Sequence, residues 1–159
     1  MVSDIDCIKK WGEPQNTVKW QAPILSNWLA SQHLDDVEFA EYQESCFPAK
    51  IYMNNNMHSA FTRAVKNLIV SDNLHKIKTW DGCFNIRRMK VVKNGKVVYG
   101  NKHSLHSWGI AFDIDAAWNG LGKTPTLDLG IANDIVVAGF DWGGDWKTKD
   151  GMHFQLINI

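Results

Sequence analysis

The chain has 159 residues, 45% hydrophobic and 21% charged, and its 17 basic and 17 acidic side chains cancel to a net charge of zero. This length suits one domain, 1–159, with a single substantial core, and the composition is ordinary for a globular protein. No apolar run approaches the roughly 20 residues that span a bilayer, so a membrane is not an expected partner.

In chain order, Met1–Lys10 carries Asp4, Asp6, Lys9 and Lys10 and has no apolar h-region. The expectation is a protein made in the cytoplasm without a signal peptide. Residues 1–48 hold no recognisable motif. Pro23 to Gln32 is predicted as a short helix, with Ile24, Leu25, Trp28 and Leu29 on one stripe. Met57, Ala60, Phe61, Ala64, Val65, Leu68 and Ile69 recur at amphipathic-helix spacing, with N-caps offered by Asn54 to Asn56. Lys76–Trp80 reads as a strand, and Met89–Tyr99 as a hairpin turning at Asn94-Gly95. Ile110, Phe112 and Ile114 alternate with Ala111, Asp113 and Asp115, which predicts a strand with one face buried. Leu129–Ala138 is predicted helical, starting near Thr126 or Asp128, and Met152–Ile157 is a closing strand. Strands not regularly interleaved with helices point to an α+β fold with a central antiparallel sheet flanked by helices.

The zero net charge hides a pattern. Residues 1–48 carry 3 basic and 8 acidic residues, 49–112 carry 11 and 2, and 113–159 carry 3 and 7. A basic middle suits a polyanion such as cell-wall polymer, or is simply a solvated face. No long basic run or nucleic-acid motif accompanies it, so nucleic acid is not an expected partner. Cys7, Cys46 and Cys83 form no CxxC pair and are expected to be free, buried or half-buried thiols.

The chemistry concentrates in Ser104-Leu105-His106-Ser107-Trp108-Gly109-Ile110-Ala111-Phe112-Asp113 and in Asp150-Gly151-Met152-His153-Phe154-Gln155. Asp113 lies on the strand face away from Ile110, Phe112 and Ile114, and Gly109 permits the turn that brings His106 over it. His153 and Gln155 share one face of the last strand. Gly151 allows a bend that turns Asp150 towards them. Two histidines and one carboxylate leave a fourth zinc position open, as hydrolytic zinc sites require, and Asp150 is then placed to act as base. His103 is a further candidate for the site, Asp115 either orients a ligand or sits at the surface, and Trp108, Trp142 and Trp146 either wall a groove or fill the core. His33, His58 and His75 lie in unrelated contexts and are expected to be ordinary surface or half-buried residues.

Ser-x-His-x-x-Gly-x-Ala-x-Asp followed by Asp-x-x-His-Phe resembles the zinc D-Ala-D-Ala carboxypeptidase and L-alanyl-D-glutamate endopeptidase family. That family includes VanY-type enzymes and single-domain phage endolysins and shares its fold with the Hedgehog signalling domain. The likeness spans roughly residues 82–155, and Gly139-Phe140-x-Trp142-Gly143-Gly144-Asp145-Trp146 is similar to the phage branch. The resemblance implies a Zn2+ cofactor held by His106, Asp113 and His153, with Asp150 as catalytic acid/base. It also implies a catalytic arginine after Gly82-Cys83-Phe84, which spacing favours as Arg87 over Arg88, and a substrate contact at Ser104 unless that serine merely caps a turn. A peptidoglycan stem peptide is the implied substrate, cut by a monomer that reaches the wall after release during phage lysis or in the virion.

Overall fold

The computed structural model describes residues 1–15, 25–29 and 34–159. Its elements in chain order are α1 (Asp4–Trp11), β1 (Leu25–Asn27), α2 (Asp36–Glu44), β2 (Tyr52–Asn54), α3 (Asn55–Val70), β3 (Trp80–Gly82), β4 (Arg88–Lys93), β5 (Lys96–His103), β6 (Ala111–Ile114), α4 (Ala116–Asn119), α5 (Leu129–Val136), β7 (Phe140–Trp142) and β8 (His153–Leu156). Short 3-10 turns occur at Leu74–Lys76, Leu105–Trp108 and Gly143–Asp145. The strands form three antiparallel sheets, of which the central one has the order β3-β6-β8-β7. The fold is therefore α+β, as the sequence pattern predicts.

Helix α3 begins where Asn54 Oδ1 accepts the Asn56 N–H at 3.0 Å, the expected N-cap. Its buried face is Met57, Ala60, Phe61, Ala64, Val65 and Leu68, and it packs against α5 and α2. Asp128 caps α5 by accepting from Gly130. Phe112 stands at the centre of the core, directly opposite Phe154 in the sheet. It stacks on Phe154 and Trp80 at 5.4 and 5.6 Å, while Phe61 and Phe140 meet it edge-on at 5.3 and 5.2 Å. Such ring contacts combine large apolar burial with favoured quadrupole geometry.

Several elements differ from expectation. Leu25–Asn27 is a strand paired with β2, not part of a helix; residues 23, 24 and 30–32 of that prediction lie outside the described residues. Leu25 instead lies against Gly109, which follows the turn carrying His106, and Trp28 is fully buried against Tyr42 and Phe61. Four apolar residues in so short a stretch do not separate helix from strand. The strand expected at Lys76–Trp80 starts only at Trp80, because Asp115 Oδ1 takes the Lys78 and Thr79 N–H groups at 2.8 and 2.9 Å. Asp115 is thus a buried tie with positive φ, not a surface residue. Strand β6 is buried on both faces, since the Asp113 side is also covered. Cys7 and Cys83 are buried, but Cys46 is exposed. His58 is buried with its Nε2 2.9 Å from Ser26 Oγ, His75 is exposed, and His33 lies outside the described residues.

The hairpin matches its signal, with Asn94 and Gly95 both at positive φ, as a type I′ turn demands. It forms a two-stranded ribbon separate from the central sheet. Among the described residues, no helix is long and apolar enough to cross a membrane.

Candidate metal centre

Asp113 and His153 are directly paired across β6 and β8, so their side chains leave the sheet on the same face. His106 reaches them from the Leu105–Trp108 turn, which Gly109 closes in the left-handed region at φ 65°. A Cβ at Gly109 would lie 2.7 Å from Leu25 Cδ2, so both conformation and space require glycine there.

Three donor atoms converge. His106 Nε2 is 3.1 Å from Asp113 Oδ1, His153 Nδ1 is 3.0 Å from the same oxygen, and the two nitrogens are 3.2 Å apart. All three residues are buried. The outer nitrogens are engaged elsewhere: His106 Nδ1 donates to the Cys83 carbonyl at 2.6 Å and His153 Nε2 donates to Gln155 Oε1 at 3.2 Å. Each neutral imidazole therefore turns a lone pair inward, and three acceptors meet with no donor between them. Only positive charge resolves that conflict. Ligand atoms around a tetrahedral zinc with bonds of about 2.0–2.1 Å stand about 3.3 Å apart, close to this triangle. Oriented outer nitrogens are the usual support of metal-ligating histidines. The donor set thus fits a divalent metal with nitrogen and oxygen preferences.

The electrostatics agree. Burial raises the Asp113 carboxyl, but His106 and His153 outweigh it and hold the group well below the usual carboxylate range. Burial lowers the His153 imidazole, yet Asp113 and then Asp150 and Gln155 leave it raised. A carboxylate that raises a buried imidazole in this way marks surroundings that favour positive charge.

Arg87 places Nη2 4.0 Å from Asp113 Oδ2, the oxygen turned away from the histidines. Arg88 is exposed and donates to the Asn101 carbonyl at 2.6 Å, so Arg87 alone of the doublet faces the centre. Asp150 stands beside it on the turn in which His153 N–H donates to the Asp150 carbonyl at 3.0 Å. Gly151 serves that turn through space and not through positive φ: a Cβ there would lie 2.7 Å from Pro125 Cβ. Asp150 Oδ1 is buried and has no hydrogen-bond partner. Its carboxyl is raised to about 6, chiefly by burial, with Asp113 adding and His153, Arg87 and Lys90 opposing.

A cavity of about 450 Å³ opens over these groups, lined by Arg87, Ser104, Trp146, Asp150, His153 and Gln155. Ser104 precedes the His106 turn but makes no capping bond with its side chain. His103 also lines the cavity; its Nε2 meets Glu13 at 3.2 Å and its Nδ1 is buried without a partner. Of the three tryptophans, Trp146 walls the cavity, its ring 5.5 Å from His153. Trp108 and Trp142 are core residues whose Nε1 groups donate to the Gly12 and Gly151 carbonyls.

Two contributors were not foreseen. The Cys83 carbonyl orients His106, a main-chain role that no side-chain pattern announces. The Cys83 thiol itself is pushed up by burial and by Asp113, which leaves it unreactive. Met1–Asp4 also lines the cavity, although residues 1–48 carry no motif.

Residues 99–156 match a family model described as D-alanyl-D-alanine carboxypeptidase. The stretch contains His106, Asp113, Asp150 and His153 and excludes Arg87. No curated protein and no solved structure matches the chain. The match supports a peptidase acting on peptidoglycan at the level of class, and the buried His-Asp-His group is compatible with a metal-dependent one.

Proposed function

We propose that the protein is a zinc peptidase that hydrolyses peptidoglycan stem peptides, with cleavage between L-Ala and D-Glu as the first choice and a phage-type endolysin as its setting. The observation that carries the reading is the triangle of buried acceptors at His106, Asp113 and His153, with an unpartnered carboxylate oxygen of Asp150 beside it. Those three residues would hold the zinc, which supplies Lewis-acid polarisation of a peptide carbonyl and a lower pKa for water.

The chain's own residues do the rest. Asp150 accepts the proton of the attacking water and returns it to the leaving amine, and a carboxyl raised to about 6 is suited to both transfers near neutral pH. Arg87, half-buried and fixed near Asp113, offers a guanidinium to the oxyanion that develops on the carbonyl. Ser104 and Trp146 contact the peptide on the cavity wall. A non-catalytic zinc-stabilised module is disfavoured by Asp150, since a structural metal needs no base.

D-Ala-D-Ala carboxypeptidase action is a second reading, favoured by the description of the matching family. The deciding experiment is mass spectrometry of fragments released from purified peptidoglycan by zinc-loaded, chelated and Asp150→Ala protein. Soluble stem fragments with a new D-Glu N-terminus from the zinc form alone establish the endopeptidase. Release of D-Ala alone establishes the carboxypeptidase. No product from any form, with zinc still bound, overturns both.

A further inference from the structure

The β4–β5 ribbon carries a charge that catalysis does not use. From Arg88 to His103 the chain has Arg88, Lys90, Lys93, Lys96 and Lys102 and no acidic residue, although its 17 basic and 17 acidic side chains balance. All of the ribbon is exposed except half-buried Val91 and Gly100 and buried His103. Lys93 and Lys96 are direct cross-strand partners beside the turn. Like charges opposed in this way destabilise a strand pair, and a two-stranded ribbon has little stability to spare in water. Among the described residues, no carboxylate pairs with Arg88, Lys90, Lys93 or Lys96; the carboxylates that meet the ribbon do so at its far end, Asp4 at 3.9 Å from Lys102 and Glu13 at 3.2 Å from His103.

The uncompensated charge lies next to the cleft, because Met89, Lys90, Val91 and Val92 of β4 line the cavity. An anionic chain lying along the ribbon would therefore run past the metal centre. Closely spaced phosphates would separate the Lys93 and Lys96 ammonium groups and relieve their repulsion. Tyr99 is the one aromatic between Arg88 and Lys102, so there is no row of rings on which bases could stack, and a nucleic acid is the poorer fit.

We propose that the ribbon is a non-catalytic docking site for a polyol-phosphate polymer of the cell wall, holding the protein where its cleft meets stem peptides. The location of the polymer rests on the wall-peptidase reading above; the phosphate chemistry rests on the ribbon alone.

The test measures binding of the full chain to purified polyol-phosphate polymer, with hydrolysis of a soluble stem peptide read separately. Lys93→Gln/Lys96→Gln should bind at least roughly tenfold more weakly at low salt, and parent binding should fall at least roughly tenfold between 50 and 200 mM salt. Lys93→Glu places opposite charges across the ribbon, which keeps it paired, and should weaken binding by a similar factor. Peptide hydrolysis should stay within about twofold in every variant, since neither lysine reaches the cavity. Equal affinity of parent and variants overturns the docking site, as does tighter parent binding to duplex DNA at equal phosphate concentration. Intact, salt-sensitive polymer binding without peptide hydrolysis would sink the catalytic reading and leave the docking site standing.

Discussion

Gln155 holds His153 from behind: its Oε1 accepts the Nε2 hydrogen at 3.2 Å, which turns Nδ1 towards Asp113 and His106. Both residues lie on β8 and point to the same face, two positions apart. Gln155→Leu keeps the volume and removes the acceptor. Zinc affinity should fall about 10–100-fold with the fold intact, whereas His153→Ala should bind none. Zinc titration against a competing chelator checks both, and an unchanged affinity for Gln155→Leu would remove its orienting role.

The arginine doublet offers a sharper discrimination. Arg87→Ala should lower kcat by about 10²–10³-fold while zinc content stays at one equivalent. Arg88→Ala should leave kcat within about twofold, because its guanidinium holds only the Asn101 carbonyl at the surface. Steady-state hydrolysis of a stem peptide, with metal content measured in parallel, reads both. A large loss at Arg88 instead would reverse the assignment.

Asp150 makes stability depend on pH in the metal-free protein. Its folded carboxyl sits at about 6 against an ordinary value of 3.8. The folded chain therefore keeps this proton where the unfolded chain releases it. The contribution is complete below about pH 4 and is lost as pH rises to about 6, with an upper bound of about 3 kcal/mol. Urea unfolding at pH 4 and pH 6.5, with chelator present, should show Asp150→Asn losing less stability over that interval than the parent. Parallel pH profiles would contradict a burial-raised carboxyl.

Phe112 anchors the sheet beneath the His106-Asp113-His153 group, one residue before Asp113 and in contact with four aromatic rings. Phe112→Ala should cost about 3–5 kcal/mol through the cavity it leaves. Chemical denaturation measures this directly, and a loss under about 1 kcal/mol would show that the ring cluster closes over the gap.

The parts of the fold legible in the sequence are those set by local pattern. The apolar period of Met57–Ile69, the Asn94-Gly95 turn and the alternation around Phe112 each name their element without reference to the rest of the chain. The three residues that converge were legible as well, because each sits in a short motif with glycine at a bend. Leu25 and the Lys78–Thr79 backbone were misread because distant partners decide them: β2 takes one into a sheet and Asp115 takes the other out. The Cys83 carbonyl was invisible for a different reason, since every residue has a carbonyl and only the register of β3 against β6 aims this one at His106.

The indole of Trp108 donates to the Gly12 carbonyl at the end of α1, within the same 3-10 turn that carries His106. A fragment trimmed to the recognisable stretch, residues 99–156, would keep every proposed ligand in its sequence. It would lack the indole's anchor, the carbonyl that sets the His106 ring and the arginine facing Asp113. The recognisable motif and the structure that holds the proposed site thus have different boundaries, the second reaching back to the first helix.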